Sequence, residues 1–258
     1  MFGKLFGRNR AETASQAEPE LSADLRIKRG AIEQGRAGDP LIVAKVGAAD
    51  INAWLMQAVT TERGVHVESL LVALGSLGGF SCQLAARHAL CTMPHHWDHP
   101  WAVADGADGR RYFLGDAINH YALEGQYSLW SLAAGIFPQI SDRPVPDLGA
   151  IVSHVVGTIG GGGFGEIRFP PGTSAGDDPI NYVRHFWPPT RAHLDQLGLV
   201  PDDWPPAFGI AAQEVLTLAK DVVDPAAALT MIVESAVAMA KLDPAELGID
   251  APDPAKGG

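Results

Sequence analysis

The densest group of side chains that could do chemistry lies between Cys91 and Pro100. Five donors able to bind a transition metal fall there within nine positions, namely Cys91, His95, His96, Asp98 and His99. Zinc binds thiolate and neutral imidazole in a tetrahedral shell, and prolines 94 and 100 could hold several of these donors together. The segment therefore predicts a candidate site for zinc or another transition metal.

The same segment has a second interpretation, which its spacing favours. It contains neither a His-Glu-x-x-His pair nor a Cys-x-x-Cys pair, the arrangements typical of zinc proteases and structural zinc sites. A polar and aromatic loop with exposed histidines, in which His99 bonds to the backbone, would have the same composition. Both interpretations stay open on the sequence alone.

Asp116 and His120 lie four residues apart, so within a helix they would share a face. An aspartate bonded to an imidazole fixes its tautomer, as general-base catalysis requires. Asp116 also follows Leu114 and Gly115, where a helix is predicted to begin, and aspartate there commonly caps the amides of the first turn. The position favours the capping role, with His120 at the edge of the core.

Glycines crowd the segment 157–165, and consecutive glycine amides can line a concavity that holds an anion. A phosphate loop ends in Gly-Lys-Ser or Gly-Lys-Thr before a helix, and a dinucleotide fingerprint follows a strand. Here a predicted helix precedes the glycines and neither context is present. The run therefore indicates the end of a helix and a hinge.

The elements that would position these residues are mostly helices. Leucines at spacings of three, four and seven predict a long helix over 67–90, which Pro94 ends. Gly75, Gly78 and Gly79 lie in its middle, where each costs up to about 1 kcal/mol relative to alanine. We expect the backbone of a neighbouring helix to approach closely there and offset that cost.

Shorter patterns predict the remaining elements. Strands at 101–105 and 110–114 are predicted to form a hairpin, because a turn rich in aspartate and glycine separates them, and 164–169 is a candidate third strand. A helix over 50–59 is expected to have Asp50 as its N-cap. The other predicted helices cover 117–123, 126–137, 148–159, 179–187, 191–197, 208–223 and 225–242.

The last two helices are predicted to form a C-terminal helical hairpin, because Asp224 can cap the second and Pro225 suits its first position. These patterns together predict a mainly α fold of the α+β type. We expect a multi-helix single domain over 21–242 with a small antiparallel β-hairpin or sheet. Residues 1–20 are predicted to be a disordered segment and 243–258 a loose tail.

Composition and charge exclude several classes of protein. The 258 residues are 47% hydrophobic and 19% charged, which is typical of a globular chain and not of a disordered or collagen-like one. The net charge of −11 gives no basic stripe for phosphate contacts, so no nucleic-acid partner is expected. The acidic excess is greatest over 195–258, which suits either a basic partner or a solvated surface.

The two cysteines, Cys82 and Cys91, form no disulfide framework, and no secretory signal follows the start, so we expect a cytoplasmic protein. Uncharged runs at 69–86 and 148–165 are long enough to span a membrane, but their serines and glycines favour buried helices. The basic and apolar first ten residues are too short to anchor the chain alone, so peripheral membrane contact is not expected.

No motif in the chain has the specificity to name a reaction. We therefore expect a non-enzymatic binding or protein-interaction module, whose acidic C-terminal helix pair contacts a protein partner or a second copy of the chain. The alternative is a metal-dependent enzyme that uses His95, His96 and His99 with Cys91 or Asp98.

Overall fold

The computed structural model describes residues 21–93, Trp97, His99 and residues 101–251, and most of them are helical. Its helices are α1 Ala23–Gly35, α2 Ile42–Ala58, α3 Val67–Thr92, α4 Asp116–Asn119, α5 Leu129–Gly135, α6 Phe137–Ile140, α7 Leu148–Val156, α8 Pro179–Leu197, α9 Trp204–Ala219 and α10 Pro225–Met239. Its strands are β1 Thr60–Thr61, β2 Gly64–Val65, β3 Ala102–Asp105 and β4 Arg111–Leu114, paired as two antiparallel hairpins. The predicted mainly α fold with a small antiparallel sheet is confirmed.

Helix α3 is the centre of the fold, because all of its residues from Ser69 to Arg87 are buried. Helices α8, α9 and α10 pack around it, while α2 packs on α9 and α1 lies outermost against α2 and α8. Among the described residues, α3 is also the helix long and apolar enough to cross a membrane, but its apolar window is entirely buried within the fold. Its hydrophobicity is therefore accounted for by the core.

The glycines of α3 allow α10 to approach it backbone to backbone. A Cβ atom at Gly75 would overlap the carbonyl oxygen of Ile232, and one at Gly79 would overlap that of Ala236. Gly78 faces another direction, where a Cβ would meet the side chain of Leu129. The expected close approach of a neighbouring helix is thus present, and it is α10 that makes it.

The predicted hairpin is β3–β4, with Ala102 opposite Leu114 and Asp105 opposite Arg111. The segment that pairs with this hairpin is 241–242, which follows α10, and not the predicted strand at 164–169. The Phe113 amide donates to the Lys241 carbonyl oxygen at 2.7 Å, and Tyr112 forms an antiparallel bridge with Leu242. The hairpin is therefore joined to the chain that leaves α10.

The prediction of a strand at 164–169 is wrong, because its residues form turns and irregular backbone. The Arg168 amide donates to the Oε2 atom of Glu234 at 2.8 Å, and the Arg168 Nε atom donates to Oε1 of the same carboxylate. Glu234 lies in α10 and is completely buried. Because a side chain satisfies this backbone amide, no partner strand is needed there.

Helix α8 corrects a second expectation, because it is one continuous helix where two were predicted around Pro188 and Pro189. Both prolines lie on its exposed side, while Trp187 and Leu194 are buried in the core. Burial of an aromatic and an aliphatic side chain contributes several kcal/mol in sum, enough to offset the hydrogen bonds that two prolines remove. The helix ends at Gly198, which has a φ of 85°.

The junction between the last two long helices follows the prediction. The Asp224 Oδ1 atom accepts hydrogen bonds from the amides of Ala226 and Ala227 at 3.0 and 3.1 Å, and Pro225 takes the first helical position. Both α9 and α10 also pack on α3. The segment 244–247 forms a 3₁₀ turn whose Leu247 is buried. The expected disorder of residues 1–20 lies outside the described residues.

Lys241 is a buried cation next to the end of α10. Its Nζ atom donates to the Asn119 Oδ1 atom at 3.0 Å. Burial lowers the pKa of Lys241 to about 8, although the charge of Glu124 acts in the opposite direction. The lysine thus stabilises the fold less when it carries a proton than when it is neutral.

The contact between α3 and α10 predicts the effect of a single methyl group. Gly79→Ala should lower the free energy of unfolding by about 1 to 3 kcal/mol, because its Cβ meets backbone that cannot move aside cheaply. Gly30→Ala in α1 is the matched control, since nothing lies near its Cβ position, and it should stabilise by up to about 1 kcal/mol. Denaturant unfolding of both variants tests this, and equal stabilisation by both would contradict it.

Lys241 predicts a pH dependence of stability. Its pKa of about 8 in the fold lies below the value of 10.5 for the unfolded chain, so the unfolded chain binds more protons between these pH values. Stability from this group therefore rises with pH across that window and is lowest below pH 8. The free energy of unfolding of the native chain, measured relative to that of Lys241→Met, should rise by as much as about 3 kcal/mol between pH 7 and 11.

Chemical denaturation of both chains at several pH values measures this difference directly. Taking the difference removes the contribution of other groups that titrate in the same range. Lys220→Met controls for the loss of one exposed charge. If the difference in free energy of unfolding between Lys241→Met and the native chain stays constant with pH, burial does not disfavour the charged form of Lys241.

Candidate functional site

The predicted metal donors are only partly within the described residues. Cys91 and His99 are both exposed, whereas His95, His96 and Asp98 lie outside the described residues. Among the residues that the structure describes, no group of three or more His, Cys, Asp or Glu side chains could hold a metal ion. The site at this loop stays a prediction.

The predicted pair of Asp116 and His120 does not form a hydrogen bond. The Asp116 Oδ2 atom instead accepts from the His99 amide at 3.1 Å, and the Asp116 amide donates to the His99 carbonyl oxygen at 3.0 Å. The His120 ring packs against Trp97 and Tyr121, with centroids 6.1 and 5.2 Å away. Asp116 thus holds the preceding loop to the start of α4, and Gly115 is the cap residue.

The glycine run after α7 packs against the β3–β4 turn. The Gly160 carbonyl oxygen accepts from the Asp108 amide at 3.1 Å, and a Cβ at Gly160 would lie 3.0 Å from the Gly106 Cα atom. Gly160 itself has a φ of 76°, a conformation that favours glycine. The run therefore serves a close backbone contact, which is a structural reason for its composition.

A cleft of about 430 Å³ opens between α1, α2 and α8, and we refer to it as the α1–α2–α8 cleft. Its wall combines a cation, a carboxylate, an imidazole and an indole with aliphatic surface. The lining residues are Lys28, Asp50, Ile51, Ala53, Trp54, Gln57, Pro189, Thr190, His193 and Leu194.

Asp50 joins the three helices at this cleft. Its Oδ1 atom accepts from the Lys28 Nζ atom of α1 at 2.7 Å, and its Oδ2 atom pairs with the His193 Nε2 atom of α8 at 2.7 Å. Lys28 also forms an ion pair with Asp24, one turn earlier in α1, at 2.6 Å. Each oxygen of the Asp50 carboxylate therefore has its own charged or polar partner.

The electrostatics keep Asp50 and Lys28 ionised. Burial alone would raise the pKa of Asp50, but hydrogen bonds from Lys28 and His193 and their charges outweigh it and hold that pKa below its usual range. The hydrogen bonds of Lys28 to Asp24 and then to Asp50 raise the pKa of the lysine. A fixed ion pair therefore stands at the polar end of the cleft at neutral pH.

His193 is oriented by this carboxylate. Because an ionised carboxylate only accepts hydrogen bonds, the His193 Nε2 atom must carry the proton. In the neutral ring the Nδ1 atom then holds the lone pair, and no described residue donates to it. The His193 side chain is 41% exposed, so water or a ligand can reach the ring. Nδ1 is therefore the atom of the neutral ring that can accept a hydrogen bond from water or from a ligand.

The other end of the cleft is aromatic. Trp54 is half-buried and packs edge to face on Phe186, with ring centroids 5.1 Å apart at 84°. The Thr190 hydroxyl donates to the Phe186 carbonyl oxygen at 2.7 Å, so its proton is used in a hydrogen bond within α8. A molecule in the cleft would thus contact an indole at one end and the Lys28 and His193 side chains at the other.

Sequence reasoning missed this cleft. Asp50 was expected to cap a helix, but α2 begins at Ile42, so Asp50 lies in the helix interior where it cannot cap the first amides. The spacing of Asp50, Trp54 and Gln57 places them on one helical face, and that signal could have indicated half of the site. Nothing local connects Asp50 to His193, which is 143 residues away.

No protein-family model, curated protein or solved structure matches this chain.

Proposed function

We propose that this protein binds a small organic molecule in the α1–α2–α8 cleft. The observation that carries the proposal is the Asp50 carboxylate, which is held between Lys28 and His193 on the wall of a cleft of about 430 Å³. Binding sites for small molecules are typically concave and largely apolar, span about 300 to 1,000 Å³ and contain a few convergent polar groups. The cleft meets each of these conditions.

The charges of the cleft favour neutral or cationic ligands. Lys28 contributes +1, and Asp24 and Asp50 contribute −2, which gives a local charge of −1 with neutral His193. An anion in the cleft would therefore meet the Asp50 carboxylate as well as the lysine. An aromatic ligand with one polar group suits Trp54 at one end and His193 at the other.

The proposal stays within the class that the sequence favoured, a binding protein, but it places the site elsewhere. Contact of the C-terminal helices with a protein partner or a second copy remains a prediction, as does the cytoplasmic location. Helix α10 is buried along nearly its whole length, and only its first turn and Thr230 are partly exposed. A partner could therefore reach mainly the exposed side of α9, which carries Glu214, Thr217 and Leu218. The metal-dependent enzyme at His95, His96 and His99 also remains a prediction.

A blocking substitution tests the proposed function. Ala53 is exposed and lines the cleft, so Ala53→Trp should fill the cleft without disturbing the core. The neutral fluorophore N-phenyl-1-naphthylamine is expected to bind the native chain saturably at one site. Ala53→Trp should weaken its affinity at least about tenfold, because the indole takes the place of the ligand; a tenfold change corresponds to about 1.4 kcal/mol. Fluorescence titration measures both affinities.

The matched control is Ala102→Trp on β3, an exposed alanine outside the cleft, which should bind the fluorophore as the native chain does. Equal binding by Ala53→Trp and the native chain would place the bound fluorophore elsewhere and contradict the proposal. Absence of saturable binding by the native chain would count against it as well.

A further inference from the structure

We propose that the α1–α2–α8 cleft is catalytic, with His193 as a general base that activates water for hydrolysis of a carboxylic ester of a small aromatic alcohol. The inference rests on the proposed binding function of the cleft and adds a reaction to it. It follows from the way Asp50 divides its two oxygens between a base, His193, and a cation, Lys28.

The base has a defined tautomer and orientation. Asp50 accepts the Nε2 proton of His193, which leaves the Nδ1 lone pair as the atom that can take a proton from water. As Nδ1 is protonated, the ring becomes a cation bonded to a carboxylate, and that contact strengthens in the transition state. Asp50 is thus a positioning residue, and His193 is the catalytic one.

The cation can stabilise the charge that develops on the substrate. The Lys28 ammonium has three N–H groups, and its contacts with Asp24 and Asp50 use two of them. The third has no acceptor among the described residues, and Lys28 lines the same cleft as His193. A carbonyl oxygen that becomes an oxyanion during attack can accept that third N–H.

Water, and not a side chain, is the nucleophile. Among the described residues that line the cleft there is neither a serine nor a cysteine, and Thr190 donates its hydroxyl proton to the Phe186 carbonyl oxygen. The described lining thus offers no serine or cysteine nucleophile, and we assign the attack to water. Trp54 provides a flat apolar surface for the aromatic part of the ester.

The reaction balances with water as the only co-reactant. The water oxygen bonds to the ester carbonyl carbon while Nδ1 of His193 takes one water proton. The tetrahedral oxyanion then collapses, and the bond between the carbonyl carbon and the leaving oxygen breaks. The imidazolium returns its proton to the leaving alkoxide or to solvent. The products are one carboxylic acid and one alcohol, with no change in oxidation state.

Steady-state hydrolysis of 4-nitrophenyl acetate by the full chain tests the inference. Saturable release of 4-nitrophenolate is expected, and His193→Gln should lower kcat about 100-fold, which is the low end of the range for general-base catalysis. Lys28→Met should lower kcat by a comparable factor, because it removes one oxyanion donor. Asp50→Asn should lower kcat more than it changes KM, since Asp50 does not touch the substrate.

His185→Gln is the matched control, because His185 is an exposed histidine on the same helix and does not line the cleft. It should retain the native rate. Binding of the stable amide analogue 4-nitroacetanilide, measured by calorimetry, reports whether each variant keeps an intact cleft. A variant that loses turnover and keeps analogue binding has lost chemistry and not its fold.

The outcomes separate the inference from the function on which it rests. If Ala53→Trp blocks analogue binding, but the native chain hydrolyses the ester no faster than the His193→Gln chain, the catalytic inference is overturned. The proposed binding function then still stands. If the native chain neither binds the analogue nor hydrolyses the ester, the catalytic inference and the proposed binding function are both overturned. Saturable hydrolysis that survives His193→Gln but falls with Ala53→Trp would show a different base and also overturn the inference.

Discussion

The contact on which the rest of the structure depends is the backbone approach of α3 and α10 at Gly75 and Gly79. With α10 this close, the buried Glu234 reaches the chain at Arg168, and the residues after α10 reach the β3–β4 hairpin. The remaining faces of α3 are then covered by α8 and α9. Helix α8 carries His193, so the wall of the cleft depends indirectly on the two glycines of α3.

The sequence predicted those helices and strands whose formation depends on residues close together along the chain. The leucine spacing and Pro94 gave the extent of α3 almost to the residue, and the Asp-Gly turn gave β3–β4. The wrong predictions at 164–169 and in α8 share a cause of another kind. The chain at 164–169 takes its hydrogen bond from Glu234, which is 66 residues from Arg168, and α8 stays continuous through Pro188 because its opposite face is buried. Such long-range partners override local preference.

The candidate site was the least predictable part for the same reason. Sequence reasoning concentrated on Cys91 to His99, where possible ligands are close together along the chain. The cleft combines residues of three separate helices, and Lys28, Asp50 and His193 do not stand out by their types or their neighbours along the chain. Only the helical spacing of Asp50 and Trp54 marked a polar and aromatic face. His193 could not be paired with that face before the fold was known.

Because the residues of the cleft are widely separated along the chain, the site exists only when the whole fold has formed. Lys28 and Asp50 are 22 residues apart, whereas His193 and Asp50 are 143 apart, so a long loop must close before the carboxylate has both partners. Closing that loop carries an entropic cost, which the packing of α8 on α3 has to offset first. A proteolytic fragment that ends before α8, or a nascent chain that has not yet reached it, would therefore contain an aspartate in a helix but no site.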